Sequence, residues 1–261
     1  MNQFDKLSAE AIQTALDGRI PLPEIHALVD STNQRAKVLA REGAPAFTAV
    51  IADNQTKGHG RYGRHFHSAS GGGLYMTLIL RPTLDSALLP QLTHYAALAV
   101  AEALESLVPS LHIEIKWVND LFLNGKKLAG ILAETVFGKD TQKIEAVALG
   151  IGINLRGSFP SELEAIATAI DRVAVPPSRN ALAAAIIERM ISAEQELAEG
   201  SYMARYRRRS FLIGRGVTVM EGENSTLATV LAIEDDGALR VLTADGAERI
   251  LRAGEVSLKI D

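Results

Sequence analysis

The chain has no cysteine among its 261 residues. This absence excludes disulfides, thiolate metal sites and cysteine nucleophiles, and it fits a reducing compartment. Long apolar runs are missing as well: none approaches the roughly 18 residues that span a bilayer, and the opening MNQFDKLSAE lacks the apolar segment of a secretion signal. We therefore expect a cytoplasmic protein with no membrane partner.

Excess positive charge is also lacking. Lys and Arg number 27 against 31 Asp and Glu, which gives a formal net charge of −4. Such a chain is a poor candidate for a general nucleic-acid binder. Its one basic run, RYRRRS (205–210), fits the solvated end of a helix, and a nucleic-acid-binding module is kept as an alternative. The chain before STN (31–33) is too short for a domain of three packed helices, so we expect no DNA partner.

Hydrophobic periodicity predicts the helices and strands. Ser31, with Gln34 three residues later, forms a capping box that predicts the start of a helix, and Gly43 predicts its end. Asn124-Gly125, between two strand-like segments, is the strongest hairpin signal. The other predicted elements are helices over 7–17, 92–107 and 179–198, the last capped by Ser178, and strands over 46–53, 73–80 and 143–155.

The pattern changes from Phe211 onward to short alternating strands. Such strands with Gly turns between them are typical of a small β-barrel or sandwich. We therefore expect a larger domain over 1–211 and a smaller one over 212–261. Turns within the smaller domain are predicted at 221–222, 236–237 and 245–246.

GHGRYGR (58–64), called the glycine loop below, has the G-x-G-x-x-G spacing of nucleotide-binding turns. A dinucleotide turn joins a strand to a helix, whereas this loop lies between two predicted strands. Asp85 stands near the position of the acidic residue that such a turn needs, but Pro82 and the missing helix count against it. A Walker A loop is excluded because no G-K-[ST] follows. The loop can form an anion nest with Arg61 and Arg64 as phosphate donors, or be a solvated surface loop.

A second informative segment is KWVNDLFLNGKKLAGILAE (116–134). Taken singly, Asn119-Asp120 fits a turn and Lys127 fits a solvated lysine. In sequence order, however, STN, GHGRYGR, KWVND, KKLAGIL and GIGIN together resemble the biotin–protein ligases. The resemblance is strong over residues 28–156 and weaker over 216–259, which resembles the family's small SH3-like barrel.

This resemblance implies an α+β fold: a mixed, largely antiparallel sheet flanked by helices, related to class II synthetases, with a C-terminal SH3-like barrel. It implies the monofunctional type without an N-terminal DNA-binding domain, and it allows a homodimer. The implied reaction uses ATP and Mg²⁺ to convert biotin to biotinyl-5′-AMP, and then transfers the biotinyl group to a lysine of a biotin carboxyl carrier protein.

Site residues follow from the same resemblance. Arg61 and Lys127 are the implied catalytic residues, and Asp120 is a candidate Mg²⁺ contact. The implied biotin-binding residues are Ser31, Thr32, Asn33, Gln55, His59, Gly60, Arg61 and Lys127. The implied nucleotide-binding residues are Arg61, Arg64, Lys116, Trp117, Asn119 and Asn154.

Two positions depart from the family's usual pattern. His59 stands where the loop commonly has arginine, so a permanent charge is replaced by a titratable one. Val118 stands where a proline is usual between Trp117 and Asn119.

Two further alternatives stay open at this point. A lipoate–protein ligase shares the fold, but the polar residues at 31–33 and Gln55 suit the biotin urea better than an aliphatic chain. A hydrolase with a histidine-bound metal is suggested by His59, His65 and His67.

Overall fold

The computed structural model describes residues 5–64, 66–68, 71–83, 88–138, 143–157, 159–221, 224–252 and 255–258. The helices are α1 Ala9–Ala15, α2 Thr32–Arg41, α3 Gln91–Leu107, α4 Arg179–Ile191, α5 Ala193–Glu199 and α6 Met203–Arg209. The strands are β1 Glu24–His26, β2 Ala49–Ala52, β3 Gly73–Leu80, β4 Glu114–Lys116, β5 Asp120–Leu123, β6 Lys126–Phe137, β7 Ile144–Asn154, β8 Gly216–Glu221, β9 Asn224–Ile233, β10 Leu239–Thr243, β11 Glu248–Leu251 and β12 Glu255–Leu258.

The first seven strands form one sheet in the order β1-β2-β3-β7-β6-β5-β4. Strands β1 and β2 run parallel, and every other neighbouring pair is antiparallel. Helix α2 packs on one face, while α3 and α4 pack on the other. The predicted mixed, largely antiparallel sheet flanked by helices is confirmed.

The two faces of the sheet are covered differently. On the α2 face, Ala36 and Ala40 of the helix pack against Val50, Ile79 and Ala148. Because side chains alternate along a strand, this face continues along β7 through two glycines rather than through larger residues. The opposite face buries the large apolar cluster that α1, α3 and α4 cover. The α2 face therefore has room for other side chains beyond the helix N-terminus.

Two local sequence signals, a hairpin turn and a helix cap, are confirmed. Asn124 and Gly125 have positive φ values of 50° and 75° and join β5 to β6, as the hairpin signal predicts. Ser178 caps α4 by accepting a hydrogen bond from the Ala181 amide. The predicted helix over 179–198 is two helices, because Ser192 leaves helical geometry between α4 and α5.

The predicted capping box at α2 is wrong. Ser31 is the N-cap residue, but its side chain makes no capping hydrogen bond. The first orphan amides find other acceptors, since Asp30 accepts from the Ser31 N–H at 2.7 Å and Gln55 accepts from the Thr32 N–H at 2.9 Å. The helix start is thus stabilised by residues outside the helix, which leaves the Ser31 hydroxyl without a capping role.

The remaining strands form a separate five-stranded sheet in the order β11-β10-β9-β8-β12, with all neighbours antiparallel. Two of its predicted turns are present, with Gly237 at φ 83° and Gly246 at φ 85°. The third prediction involves Gly222, which lies outside the described residues. The small antiparallel unit predicted for the C-terminal part is confirmed.

The two sheets meet at a junction that includes Trp117 and His94. The Trp117 indole N–H donates to the Gly237 carbonyl at 2.9 Å. His94 of α3 is buried against the same turn, and a Cβ added to Gly237 would lie 2.7 Å from its ring. Within the described ranges, no helix combines the length and the apolar character needed to cross a bilayer.

Candidate active site

A network of polar side chains lies where α2 begins. The Gln55 side-chain oxygen accepts from the Thr32 amide at 2.9 Å and from the Thr32 hydroxyl at 3.1 Å. The hydroxyl of Thr77, on β3, lies 2.8 Å from Thr32 Oγ1 and 2.6 Å from Asn33 Oδ1. Ser31, Thr32, Asn33 and Thr77 are all buried. The structure thus brings together residues 31–33 and Gln55, four of the predicted biotin-binding residues, and it adds Thr77, which sequence reasoning missed.

Two glycines of β7 lie on this face, Gly150 directly under the network and Gly152 under the Phe66 ring. A Cβ at Gly150 would come within 2.1 Å of Asn33 Oδ1, and one at Gly152 within 2.7 Å of the Phe66 ring. A side chain at either position would force Asn33 or Phe66 to move, so glycine is what allows both to pack against β7. The sequence signal for this feature is the alternation of glycine in GIGIN, which puts both glycines on one face.

Glu134 of β6 contacts three side chains on the α2 face of the sheet. Its carboxylate accepts from Lys37 at 2.7 Å and from the Asn33 amide at 2.8 Å, and the His59 ring lies 3.6 Å away. Burial would raise the pKa of Glu134, but the hydrogen bonds from Lys37 and Asn33 outweigh it and hold the pKa below its usual value. His59, from the glycine loop, therefore faces an ionised carboxylate rather than open solvent.

The glycine loop directs Arg61 toward the turn between β4 and β5. One guanidinium nitrogen donates to Asn119 Oδ1 at 3.4 Å, and another donates to the Tyr62 hydroxyl at 3.1 Å. The loop closes on itself, because the Gly60 amide donates to the Arg64 carbonyl at 2.7 Å. The Arg64 side chain itself lies on the surface. The structure thus brings together Arg61 and Asn119, two of the predicted nucleotide-binding residues.

Lys127 and Asp120 form an ion pair with a separation of 2.7 Å. A Cβ at Gly130 would lie 3.4 Å from Lys127 Nζ and 3.6 Å from Asp120 Oδ1, which are ordinary van der Waals contacts, so Gly130 lies directly beside the pair. The Lys127 backbone is fixed by Ile166, whose carbonyl accepts from its amide at 2.8 Å. Asp120, the predicted Mg²⁺ contact, therefore has a cationic partner within the chain.

The other predicted nucleotide residues are more dispersed. Lys116 Nζ lies 5.9 Å from the Phe122 ring centroid. Trp117 is buried at the junction, and its peptide bond to Val118 is cis. Asn154 is buried at the end of β7, and its amide donates to the Thr168 carbonyl at 3.2 Å. The one N–H of the Trp117 indole thus donates to the C-terminal part of the chain, at Gly237.

A cavity of about 180 Å³ lies beside Arg61 at the edge of the two sheets. Arg252, from the C-terminal part of the chain, lies on its wall, and Asp236 pairs with this arginine. Sequence reasoning missed Arg252, because nothing local links it to the glycine loop. The other lining residues are Pro90, Thr93, Val118, Ile131, Leu132 and Ala133.

The histidine-metal alternative finds no support in the described part of the chain, where no group of three or more metal-binding side chains is gathered. His67 packs its ring 6.2 Å from that of Phe159. His65, the third histidine of that alternative, and Asp85 of the dinucleotide alternative lie outside the described residues.

Comparison with known proteins gives the same picture for both parts of the chain. Residues 25–154 match the Biotin/lipoate A/B protein ligase family, and residues 212–259 match the Biotin protein ligase C terminal domain. The Bifunctional ligase/repressor BirA of Bacillus subtilis (strain 168) is 34% identical, covering 87% of this chain and 71% of that protein. The Biotin--[acetyl-CoA-carboxylase] ligase of Mycobacterium tuberculosis (strain ATCC 25618 / H37Rv) is 30% identical, covering 89% and 87%.

The fold has a solved counterpart as well. The biotin protein ligase from Aquifex aeolicus in complex with biotin and ATP has a TM-score of 0.78 at 28% identity, covering 92% of this chain and 99% of that one. These matches identify the chain as an enzyme of the ligase class. The chain belongs to the Biotin/lipoate A/B protein ligase family, as one of its biotin protein ligases.

Proposed function

We propose that the chain is an ATP-dependent biotin–protein ligase. It joins the biotin carboxylate to the α-phosphate of ATP, which forms biotinyl-5′-AMP and releases pyrophosphate. It then transfers the biotinyl group to one lysine of a biotin carboxyl carrier protein, and AMP leaves. Support comes from relatives named as biotin ligases and from the related structure that holds biotin and ATP.

One observation carries this proposal: the network of Thr32, Asn33, Gln55 and Thr77 above Gly150 of β7. A urea presents one carbonyl acceptor and two N–H donors, and hydroxyl and carboxamide groups can satisfy both kinds. The dithiolane of lipoate has no such groups, and its binding would leave these buried side chains without ligand partners. The network therefore favours biotin over lipoate as the substrate.

Arg61 and Lys127 would supply the electrostatic part of adenylate formation. The carboxylate and the α-phosphate repel each other until cations neutralise them, so preorganised cations lower the barrier. The guanidinium of Arg61 can bind phosphate oxygens in a fork, and the Lys127 ammonium is a compact charge within reach of Asp120. Arg64, also on the loop, is the further donor in this proposal.

The protein would supply only some of the ligands that Mg²⁺ needs. Mg²⁺ keeps waters and is usually bound through one or two carboxylates together with substrate phosphates. Asp120 is the carboxylate that would hold it, next to Lys127. The ion would neutralise phosphate charge, and its donors would come mainly from ATP and water.

The domain limits belong to this proposal too. A catalytic part over 1–211 and a C-terminal part over 212–261 agree with the two family matches and with the two sheets. The cytoplasmic location, the lack of a DNA partner and the homodimer remain predictions from the sequence.

Pyrophosphate exchange tests the activity directly. Purified protein is incubated with ATP and labelled pyrophosphate, with biotin in one set and lipoate in another, and transfer is then followed on an isolated carrier domain. We expect biotin-dependent exchange and one biotin per carrier. Exchange that depends on lipoate, or no exchange with either biotin or lipoate, would overturn the proposal.

A further inference from the structure

Arg179, the first residue of α4, is a buried arginine between two acidic side chains. Its guanidinium side chain is 5% exposed, and it pairs with Asp5 at 3.1 Å and with Asp53 at 2.5 Å. It also donates to the Asp5 carbonyl. A buried guanidinium is tolerated only when its donors are satisfied, so these partners fix the geometry of the group. The catalytic proposal makes no use of Arg179.

Asp53 is the point where the loop segment 54–70 leaves the sheet. It directly follows β2, and its amide donates to the His26 carbonyl at 2.9 Å. Its own carbonyl accepts from the Gly71 amide at 3.1 Å, so the outgoing and returning ends of the segment meet at one residue. Gln55 follows two residues later and holds the start of α2.

We propose that Arg179 is a positioning residue for biotin binding, acting through the Asp53 carboxylate at the base of the loop segment; this rests on the proposed function. The guanidinium belongs to α4, which packs in the core, so it ties the base of the segment to a rigid element. Loss of the tie enlarges the set of loop conformations in the free protein, and biotin binding must then order them. Once biotin is bound, Arg61 and Lys127 are still in place, so the rate of the chemical step changes little.

The second carboxylate on the same guanidinium provides a matched control. Asp5 accepts from the Arg179 amide at 2.7 Å and from the Ser178 hydroxyl at 2.8 Å, at the N-terminus of α4. It has no hydrogen bond to the loop segment among the described contacts. Its removal therefore weakens the helix start and the Arg179 pair without touching the base of the loop.

The experiment compares Asp53→Ala, Asp53→Asn and Asp5→Ala with the unaltered protein. For Asp53→Ala we expect the biotin KM and the calorimetric Kd to rise about tenfold, with kcat within about twofold. Asp53→Asn keeps an acceptor for Arg179, so its biotin KM and Kd should lie between those of Asp53→Ala and of the unaltered protein. Asp5→Ala should lower the melting temperature more than Asp53→Ala does, yet leave the biotin KM within about twofold. Hydrogen exchange at amides 55–64 should accelerate only in the Asp53 variants.

The outcomes separate the two proposals. If the unaltered protein shows no biotin-dependent exchange, the proposed function fails. If it is active and the KM changes simply follow the loss of stability, or if Asp53→Ala binds biotin normally, the positioning role is wrong. Should Asp53→Ala not fold, Asp53→Asn is compared with Asp5→Asn: a larger KM in the first supports the role, and equal values overturn it.

Discussion

Lys127 is held by a partner that keeps it available rather than by deep burial, unlike the buried Thr32 and Thr77 of the polar network. Its ammonium lies 2.7 Å from Asp120 while its side chain is 38% exposed. A half-exposed pair of this kind adds little to stability, because water screens it. The pair instead fixes where a mobile cation sits before the anionic substrates arrive.

Replacing Lys127 with alanine should therefore separate stability from activity. We expect the free energy of unfolding to change by no more than about 0.5 kcal/mol. The rate of biotin-dependent pyrophosphate exchange should fall about 100- to 1,000-fold, because a charge-assisted contact in the transition state is lost. Lys126→Ala is the control, since its neighbouring ammonium donates to the Glu164 carbonyl instead. Equal losses in the two variants would remove Lys127 from the chemistry.

Thr77 gives a second prediction at this scale, on binding rather than on rate. Thr77→Val keeps the shape but deletes the hydroxyl between Thr32 and Asn33. Leaving a buried acceptor unsatisfied costs on the order of 1–3 kcal/mol, so calorimetry should show a biotin Kd about tenfold higher or more. Thr48→Val removes a buried hydroxyl that donates to the Pro45 carbonyl, away from the network. This control should bind biotin normally, and a similar Kd change in both variants would contradict the role of Thr77.

At the scale of elements, the site depends on which face of a strand each residue occupies. The GIGIN pattern predicts a strand, and β7 is that strand, but only the register with β3 and β6 brings Gly150 beneath α2. Packing between strand and helix, rather than the glycine's backbone freedom, is what excludes a side chain there. The helix start and the strand therefore form one structural unit around Asn33.

Gly150→Ala tests this unit. The new Cβ would meet Asn33 Oδ1 at 2.1 Å, so Asn33 must leave its bonds to Thr77 and Glu134. We expect biotin affinity to fall by at least about 100-fold and the melting temperature to drop by several degrees, while the circular dichroism spectrum keeps its shape. Normal affinity in a folded Gly150→Ala protein would mean that the network tolerates displacement of Asn33.

Sequence patterns predict the helices and strands better than the contacts between residues that are distant in the sequence. The strand over 73–80 was predicted with both ends correct and the helix over 92–107 to within one residue, because their periodicity is local. The capping box failed because Gln55, more than twenty residues away, satisfies the first amide of α2. Thr77, Glu134 and Arg252 were missed for the same reason. Their roles arise from sheet register and from the junction of the two sheets, and neither leaves a short motif.

At the scale of the whole molecule, the protonation of His94 is linked to the packing of the two sheets against each other. Its ring packs edge-on against Tyr206 at 5.1 Å and touches the turn at Gly237. Burial lowers the pKa of His94 to about 4, and this effect outweighs the opposing contributions of the Pro90 and Gly237 backbone and of Asp236. The junction is therefore built around a neutral imidazole.

This burial predicts a pH dependence of stability. The unfolded chain protonates His94 near pH 6.5, whereas the folded protein resists protonation until about pH 4, so the unfolded state binds more protons between these values. Stability is then complete above pH 6.5 and falls as the pH drops, by up to about 1.4 kcal/mol per pH unit. Urea unfolding should show this slope between pH 5 and 6.5 and little slope from pH 6.5 to 7.

His94→Gln should flatten the slope, whatever it does to stability at pH 7. The exposed His112 provides the control, and His112→Gln should keep the slope of the unaltered protein. A slope that persists in His94→Gln would assign the pH dependence to other groups.

Trp117 is the single tryptophan of the chain, and its indole N–H is bonded to Gly237 across the junction. Intrinsic fluorescence excited at the indole band therefore comes from one site, and its emission maximum depends on whether that indole stays out of water. The cavity beside Arg61 and Arg252 is lined by Val118, the residue next to this tryptophan, so a change in the cavity would occur beside the fluorescent indole. Because the chain has no cysteine, one introduced thiol could carry an acceptor dye without competing labels. The molecule thus contains its own optical probe for following, in real time, whether the two sheets stay docked during turnover.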